Sequence, residues 1–225
     1  MTTTLRRLWL IAGWTMLGYV VLTFAGAVFE SNVTLGDTPS HVTSGLITSS
    51  MTKLFAGGYI EFIAGLVFLV SALLVAQLLR GTGELTGWLS SCISAAAVTY
   101  TAVGAATGAA AGAAAVYNGH HGASLAIVTT VNDIRNIGFA VSGGIAGLLA
   151  IAIAAAGRVT GLLPRWFAYA GYVVGVLMIA GLLAAKAGEP QTLLFYVWLV
   201  ALGVIAVRVP RRTSARATAP VPVTV

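Results

Sequence analysis

Charged residues are the scarcest feature of this sequence. Of its 225 residues only 8% are Asp, Glu, Lys or Arg, whereas a soluble globular domain carries about 25%. Such a chain cannot cover a water-facing surface. The composition therefore argues against a soluble enzyme, a nucleic-acid-binding domain and a disordered chain, and we expect no nucleic-acid partner.

Cysteine and histidine are also rare, which limits the available chemistry. Cys92 is the single cysteine, so an intramolecular disulfide and a multi-cysteine metal site are excluded. His41, His120 and His121 lie outside the middle of every apolar run, so paired haem ligands on facing helices are absent. We recognise no nucleophile–base pair and no metal-ligand pattern. We therefore predict no catalytic residue, cofactor or metal site, and the sequence leans against an enzyme.

Long apolar segments are what the sequence has in abundance. Hydrophobic residues make up 58% of the chain, and mean hydropathy is +0.95. The apolar runs are continuous rather than alternating, which favours membrane-spanning helices over a barrel. Six runs approach the roughly 20 residues that a bilayer requires. They lie at about Leu8–Phe29, Phe55–Leu79, within Gly87–Tyr117, within Ser124–Gly157, Leu163–Ala185 and Thr192–Val207.

These runs predict an all-α integral membrane bundle of six transmembrane helices, with residues 1–208 as one domain. The distribution of Lys and Arg predicts its orientation. If the N-terminus is cytoplasmic, only Lys53 and Lys186 fall in outside connections. The nine basic residues inside are Arg6, Arg7, Arg80, Arg158, Arg165, Arg208, Arg211, Arg212 and Arg216. We expect a multi-pass protein of the cell membrane with both termini cytoplasmic, and a disordered basic tail at residues 209–225.

The first run allows a second interpretation, a cleaved signal peptide. A basic start precedes the run, and Ala25-Gly26-Ala27 offers a small-x-small cleavage site. The apolar stretch before that site has at least 17 residues, which is longer than a usual signal-peptide core. We therefore favour a retained first helix.

Glycines at four-residue spacing mark the third run. Gly104, Gly108 and Gly112 stand in an Ala-rich stretch without Leu or Phe. Such a strip lets another helix approach closely, so we predict this helix at the centre of the bundle. Gly143 and Gly147 repeat the spacing in the fourth run. Packing is the favoured role, and a substrate path lined by small residues is the alternative.

The fourth run is too long to lie wholly in the hydrocarbon. Its 34 residues span roughly 51 Å as a helix, against a core of about 30 Å. Residues Ile137–Ala156 carry no charge and fit the core. We predict that the preceding part is an amphipathic extension at the outer interface.

Glu61 is the clearest candidate for a functional residue. It lies about seven residues into the second run, and ionisable residues within membrane segments are costly and often functional. Its helical neighbours Gly57, Gly58, Ala64 and Gly65 are small, so we expect Glu61 on a face that contacts another helix.

A carboxylate in that position needs a partner. Arg135, with Asn132 or Asn136, lies at similar depth on the fourth run. Together with Asp133, these residues form a candidate polar or ion site near the outer face. Two roles remain open: a stabilising cross-helix pair, or a site that handles a proton, a cation or a small solute.

Two motifs resemble a known group of proteins. Asn132-Asp133-Ile134-Arg135-Asn136 opens a helix, and Leu163-Pro164-Arg165-Trp166 precedes a glycine-rich span. This arrangement resembles a group of small multi-span bacterial membrane proteins classed as a domain of unknown function, over about residues 55–208. The resemblance implies a helical bundle and transfers no activity.

The sequence thus predicts two functions of different classes. The first is an accessory or interaction subunit in the cytoplasmic membrane, with a protein partner or a second copy besides the lipid bilayer. Its support is the glycine spacing and the lack of a catalytic set. The alternative is a small transporter or channel-like protein that uses Glu61 and the Asn132–Asn136 segment.

Overall fold

The computed structural model describes residues 3–31, 33–183 and 188–217, and this part of the chain is helical, without a strand. A short surface helix at Pro39–Val42 is continued by a π-helical turn at Thr43–Ile47. The helices are α1 Thr3–Ala27, α2 Pro39–Val42, α3 Met51–Leu78, α4 Glu84–His120, α5 Leu125–Thr160, α6 Arg165–Leu183 and α7 Gly188–Ala217. The predicted all-α class is confirmed.

Five helices are long and apolar enough to cross a membrane. They are α1, α3, α4, α5 and the part of α7 at Gln191–Val209. Helix α6 is apolar over Arg165–Gly181, which is shorter than the other five. The length and composition of these helices confirm a membrane helical bundle. Lys186 and residues 218–225 of the predicted tail lie outside the described residues.

Helix α7 continues past the boundary that we predicted at residue 208. It is helical to Ala217 and so enters the stretch that we predicted as a disordered tail. The polar composition led to that prediction. Arg and Ala, which dominate residues 211–217, have high intrinsic helix propensity, and this accounts for the longer helix.

Local sequence determines where the helices begin and end. The Ser50 hydroxyl accepts a hydrogen bond from the backbone N–H of Lys53 at 3.4 Å, which caps the start of α3. Helix α5 ends at Gly161, which has a left-handed φ of 65° that glycine adopts without strain. Pro164 then precedes the first turn of α6, where the lack of an N–H does no harm.

Helix α5, not α4, lies at the centre of the bundle. In the most apolar stretch of α5 56% of the residues are buried, against 22% for α4. Leu149, Ala150 and Ile153 of α5 are fully buried. The prediction that the third run is central is therefore wrong, because its Ala and Gly side chains are too small to fill a core and leave space beside the helix instead.

The first turns of α5 are also covered by protein. Val128 is fully buried in a small core that it shares with Val33, Val42 and Leu46 of the α1–α3 connection. The long connection folds back over this end of the bundle and covers Val128, whereas Ile134 of the same predicted apolar face is 50% exposed. The place of this extension at the outer interface stays a prediction.

Candidate functional site

An ion pair joins the end of α1 to α5. The Arg135 guanidinium donates from Nη2 to Oε2 of Glu30. The two side chains are only 16% and 18% exposed. We expected Glu61 to be the partner of Arg135, but the arginine's hydrogen bond goes to Glu30. The sequence carried a usable signal, since Glu30 follows the first span on the same predicted side of the membrane as Arg135.

Glu61 lies beside this pair without taking its place. Its carboxyl group shares a hydrogen bond with that of Glu30 and interacts electrostatically with Arg135. Its side chain lies against α1 at Gly26, where an added Cβ would stand 2.8 Å from Cγ of Glu61. Gly57 likewise lies within close range of the α1 backbone. Two carboxyl groups and one guanidinium therefore meet where α1, α3 and α5 converge.

These groups line a cavity of about 870 Å³. It extends from the α1–α3 connection, at Thr34 and Asp37, to Tyr196 of α7. Its wall includes Glu30, Glu61 and Arg135. The volume lies within the range of about 300–1,000 Å³ that is typical of small-molecule sites.

A second cavity of about 480 Å³ adjoins the first. Its wall is mostly apolar and includes Phe55 and Tyr59. Both cavities are lined by Glu30, Arg135 and Phe62. The ion pair and this phenyl ring therefore stand between the two spaces.

The wall that α4 contributes is a π-helical segment, Gly104–Ala111. No atom lies within 4 Å of the position that a Cβ would occupy at Gly104 or Gly108. The close helix contact that we predicted for these two glycines is absent. Both line the larger cavity, and Gly108 also lines the smaller one. Gly112 differs, because an added Cβ would stand 3.1 Å from Cδ of Arg135. π-Helical turns occur often at functional sites.

Gly147 of α5 packs closely against another helix, whereas Gly143 also lines the larger cavity. A Cβ at Gly147 would stand 2.6 Å from the carbonyl oxygen of Gly175 on α6. At Gly143 the nearest atom is Cε of Met178, at 3.6 Å. The α5–α6 contact is therefore close at Gly147 and ordinary at Gly143.

Tyrosines form the deep end of the larger cavity. The hydroxyls of Tyr19 and Tyr100 lie 2.8 Å apart and share a hydrogen bond. The ring centroids of Tyr19 and Tyr196 are 6.1 Å apart, and all three residues line the cavity. Sequence reasoning missed Tyr19 and Tyr196. A tyrosine within an apolar run was the available signal, because its hydroxyl needs a polar partner.

The polar residues of α5 divide between the two cavities. Asn132 is 1% exposed and lines the smaller one, whereas Asn136 lines the larger one. Asp133 lines neither, so the five predicted site residues do not form one cluster. Ser142, which we did not predict, is 6% exposed and lines the larger cavity. Within the described chain, Oδ1 of Asn132, Nδ2 of Asn136 and Oγ of Ser142 have no hydrogen-bond partner.

Asp37 gives the cavity wall in the α1–α3 connection a negative charge. Its carboxylate accepts a hydrogen bond from the backbone N–H of Thr34 at 2.5 Å and lies 3.1 Å from Nδ1 of His41. The Thr34 N–H stabilises the ionised form and lowers the pKa of Asp37 below 3.8. Asp37 is therefore ionised throughout the physiological pH range.

Comparison with protein-family models, with curated proteins and with solved structures finds no match to this chain. The resemblance to small bacterial membrane proteins therefore stays a prediction. Among the described residues, no three or more His, Cys, Asp and Glu side chains are grouped to hold a metal ion.

Proposed function

We propose that this chain is a six-span protein of the cell membrane that admits a small polar solute to the larger cavity, as a transporter or channel does. In this proposal both termini are cytoplasmic and the α1–α3 connection lies outside. The proposal also includes a bacterial origin, on the resemblance described above.

The observation that carries the proposal is the position of the charged groups. Glu30, Glu61 and Arg135 line a cavity that extends to the α1–α3 connection, instead of being enclosed by apolar side chains. Ionisable residues within membrane segments typically mark solute pathways. A structural ion pair alone would not need a cavity of this volume beside it.

The interface residues support the proposed orientation. Trp88 and Trp166 are 64% and 62% exposed and stand near the starts of α4 and α6. Arg80 precedes α4 and Arg165 begins α6. Exposed Trp together with Arg is typical of the headgroup level on the cytoplasmic side.

Cysteine labelling in intact cells tests the proposal. Replacement of Cys92 by Ala gives a cysteine-free background, into which single cysteines are introduced at three positions. Gly108→Cys reports on the cavity, Thr48→Cys on the α1–α3 connection and Thr82→Cys on the α3–α4 connection. We expect a membrane-impermeant thiol reagent added outside to label Gly108→Cys and Thr48→Cys, and to label Thr82→Cys only after lysis.

Two outcomes contradict the proposal in different ways. Labelling of Thr82→Cys but not Thr48→Cys in intact cells would reverse the orientation. Labelling of Thr48→Cys without any reaction at Gly108→Cys, either in cells or in detergent, would show that water does not reach the cavity.

The interaction subunit favoured by the sequence is the second candidate. Gly18 on α1 and Gly87 on α4 have no atom within 4 Å of an added Cβ and line neither cavity. Small residues on an open helix face allow another helix to approach. In mild detergent, a stoichiometric partner or a dimer that Gly18→Leu or Gly87→Leu disrupts would support this candidate. A monomer without a partner would contradict it.

A further inference from the structure

The charges that line the larger cavity are unequal in sign. Glu30, Asp37 and Glu61 are acidic, and Arg135 is the single basic residue in the described lining. Arg135 donates a hydrogen bond to Glu30. No acidic or basic residue of α4 or of the described part of α7 lines this cavity. Glu30 and Arg135 balance each other and Asp37 is ionised, so the wall carries an excess of negative charge, which attracts cations and repels anions.

Aromatic rings lie near the carboxylate that Arg135 leaves without a direct ion pair. Tyr100 and Tyr196 both interact electrostatically with Glu61, and Tyr19 hydrogen-bonds to Tyr100. A cation over a tyrosine face within about 6 Å is attracted by the ring, and aromatic cages of this kind recognise quaternary ammonium groups. Glu61 shares a hydrogen bond with Glu30, and Arg135 already holds Glu30, so few carboxylate oxygens remain for a divalent metal ion, which prefers several oxygen ligands. A carboxyl group beside several tyrosines suits an organic ammonium ion better.

Two polar side chains in the same wall lack partners. Ser142 is 6% exposed, and its Oγ has no hydrogen-bond partner among the described residues. Nδ2 of Asn136 also has no hydrogen-bond partner among the described residues. A buried polar group without a partner is costly, and hydrogen-bonding groups of a ligand would satisfy these atoms. This observation is independent of the charge and points to a ligand with a polar part besides its cationic centre.

We infer that the ligand of the larger cavity is a small organic ammonium ion, with its cationic centre between Glu61 and the tyrosines and its polar part near Asn136 and Ser142. This inference rests on the proposed function, because it names the class of solute that the cavity admits.

The test compares two thiol reagents of similar size at Gly108→Cys in the Cys92→Ala background. One methanethiosulfonate carries a trimethylammonium group and the other a sulfonate. Rates measured in detergent are divided by those at Thr48→Cys, which corrects for the intrinsic reactivity of each reagent. We expect the cationic reagent to be favoured by at least about 10-fold, as in other clefts lined by one sign of charge.

Two carboxyl variants show whether Glu61 causes the preference for the cationic reagent. Glu61→Gln should lower the ratio of rates markedly, with Asp37 maintaining a smaller preference for the cationic reagent. Asp133→Asn is the matched control, since it removes a nearby carboxyl group that lines neither cavity, and it should leave the ratio unchanged. An equal loss in both variants would overturn the inference, because general charge and not the Glu61 site would then set the preference.

Protection provides a second measurement that leaves Glu61 unchanged and therefore does not depend on the folding of any carboxyl variant. Tetramethylammonium chloride should slow labelling of Gly108→Cys, whereas sodium chloride at the same ionic strength should not. Equal protection by both salts, or a normalised ratio of one, would overturn the inference and leave the accessible cavity intact. No reaction with either reagent would overturn the proposed function itself.

Discussion

The two halves of the bundle use the same small residues in opposite ways. In the half towards the α3–α4 and α5–α6 connections, Gly147 faces the Gly175 carbonyl, and large side chains such as Phe68 and Phe167 are fully buried. In the half towards the α1–α3 connection, Gly104 and Gly108 face open space. Glycine spacing alone therefore shows where side-chain bulk is missing. The neighbouring helices decide whether that space is filled or left as a cavity.

The largest expected effect tests whether the half of the bundle towards the α1–α3 connection, here called the open half, also depends on specific contacts. Arg135→Gln removes the cation that is paired with Glu30 and leaves two carboxyl groups together. Breaking one side of a largely buried ion pair costs about 3–5 kcal/mol, and we expect a corresponding fall in the free energy of unfolding, measured by denaturant titration in detergent.

The double variant Glu30→Gln with Arg135→Gln is the control for that prediction. It removes both charges, so most of the lost stability should return. If it is as unstable as Arg135→Gln alone, the ion pair is not the cause.

A matched pair of glycine substitutions tests the comparison directly. Gly147→Ala should lower the free energy of unfolding by about 1–3 kcal/mol, because its Cβ would overlap the Gly175 carbonyl. Gly108→Ala meets no neighbour and should raise it by up to about 1 kcal/mol through better helix propensity. Thermal unfolding of both variants in one detergent gives the two signs, and equal signs would remove the distinction between the halves.

A smaller effect is expected where the two halves meet. Tyr19→Phe removes the hydroxyl that hydrogen-bonds to Tyr100, and loss of one such bond costs about 0.5–1.5 kcal/mol. Tyr59→Phe, at a tyrosine that is 67% exposed, is the matched control and should be neutral. The double variant Tyr19→Phe with Tyr100→Phe should lose less than the sum of the two single losses, and strict additivity would show that the shared hydrogen bond is unimportant.

The smallest effect concerns the edge of the open half. Asp37→Asn should reduce the preference of Gly108→Cys for the cationic reagent less than Glu61→Gln does, because the Asp37 side chain lies in the α1–α3 connection, is 23% exposed and is partly screened by salt. Since the Thr34 N–H lowers the pKa of Asp37 below 3.8, the contribution of Asp37 is present above that pH and is lost as the pH falls below it. A contribution already lost between pH 7 and pH 5 would contradict this assignment.

The length of the apolar runs predicted most of the fold. The runs near Leu8, Phe55 and Ser124 became α1, α3 and α5, because about 20 apolar residues have few alternatives to a helix in a bilayer. Which helix is central could not be predicted in the same way. The glycine spacing favoured the third run, but centrality depends on side-chain volume, which α5 supplies and α4 lacks.

The sequence predicted which charged residues belong to the site, but not which carboxylate pairs with Arg135. Glu61 and Arg135 stood out as charges within apolar sequence, and both line the larger cavity. The partner of Arg135 is Glu30, which lies 105 positions away in the chain. Pairing across such a distance depends on the path of the α1–α3 connection, which periodicity does not reveal.

The π-helical segment of α4 is also a place where the sequence can change without disturbing the fold. Gly104 and Gly108 point into unoccupied space, so a single nucleotide change that introduces Ser, Ala or Val there would alter the shape and polarity of the cavity without moving a helix. The Gly147–Gly175 contact offers no such freedom. Substitutions along this one helix wall can therefore reshape the cavity while the rest of the bundle is inherited unchanged.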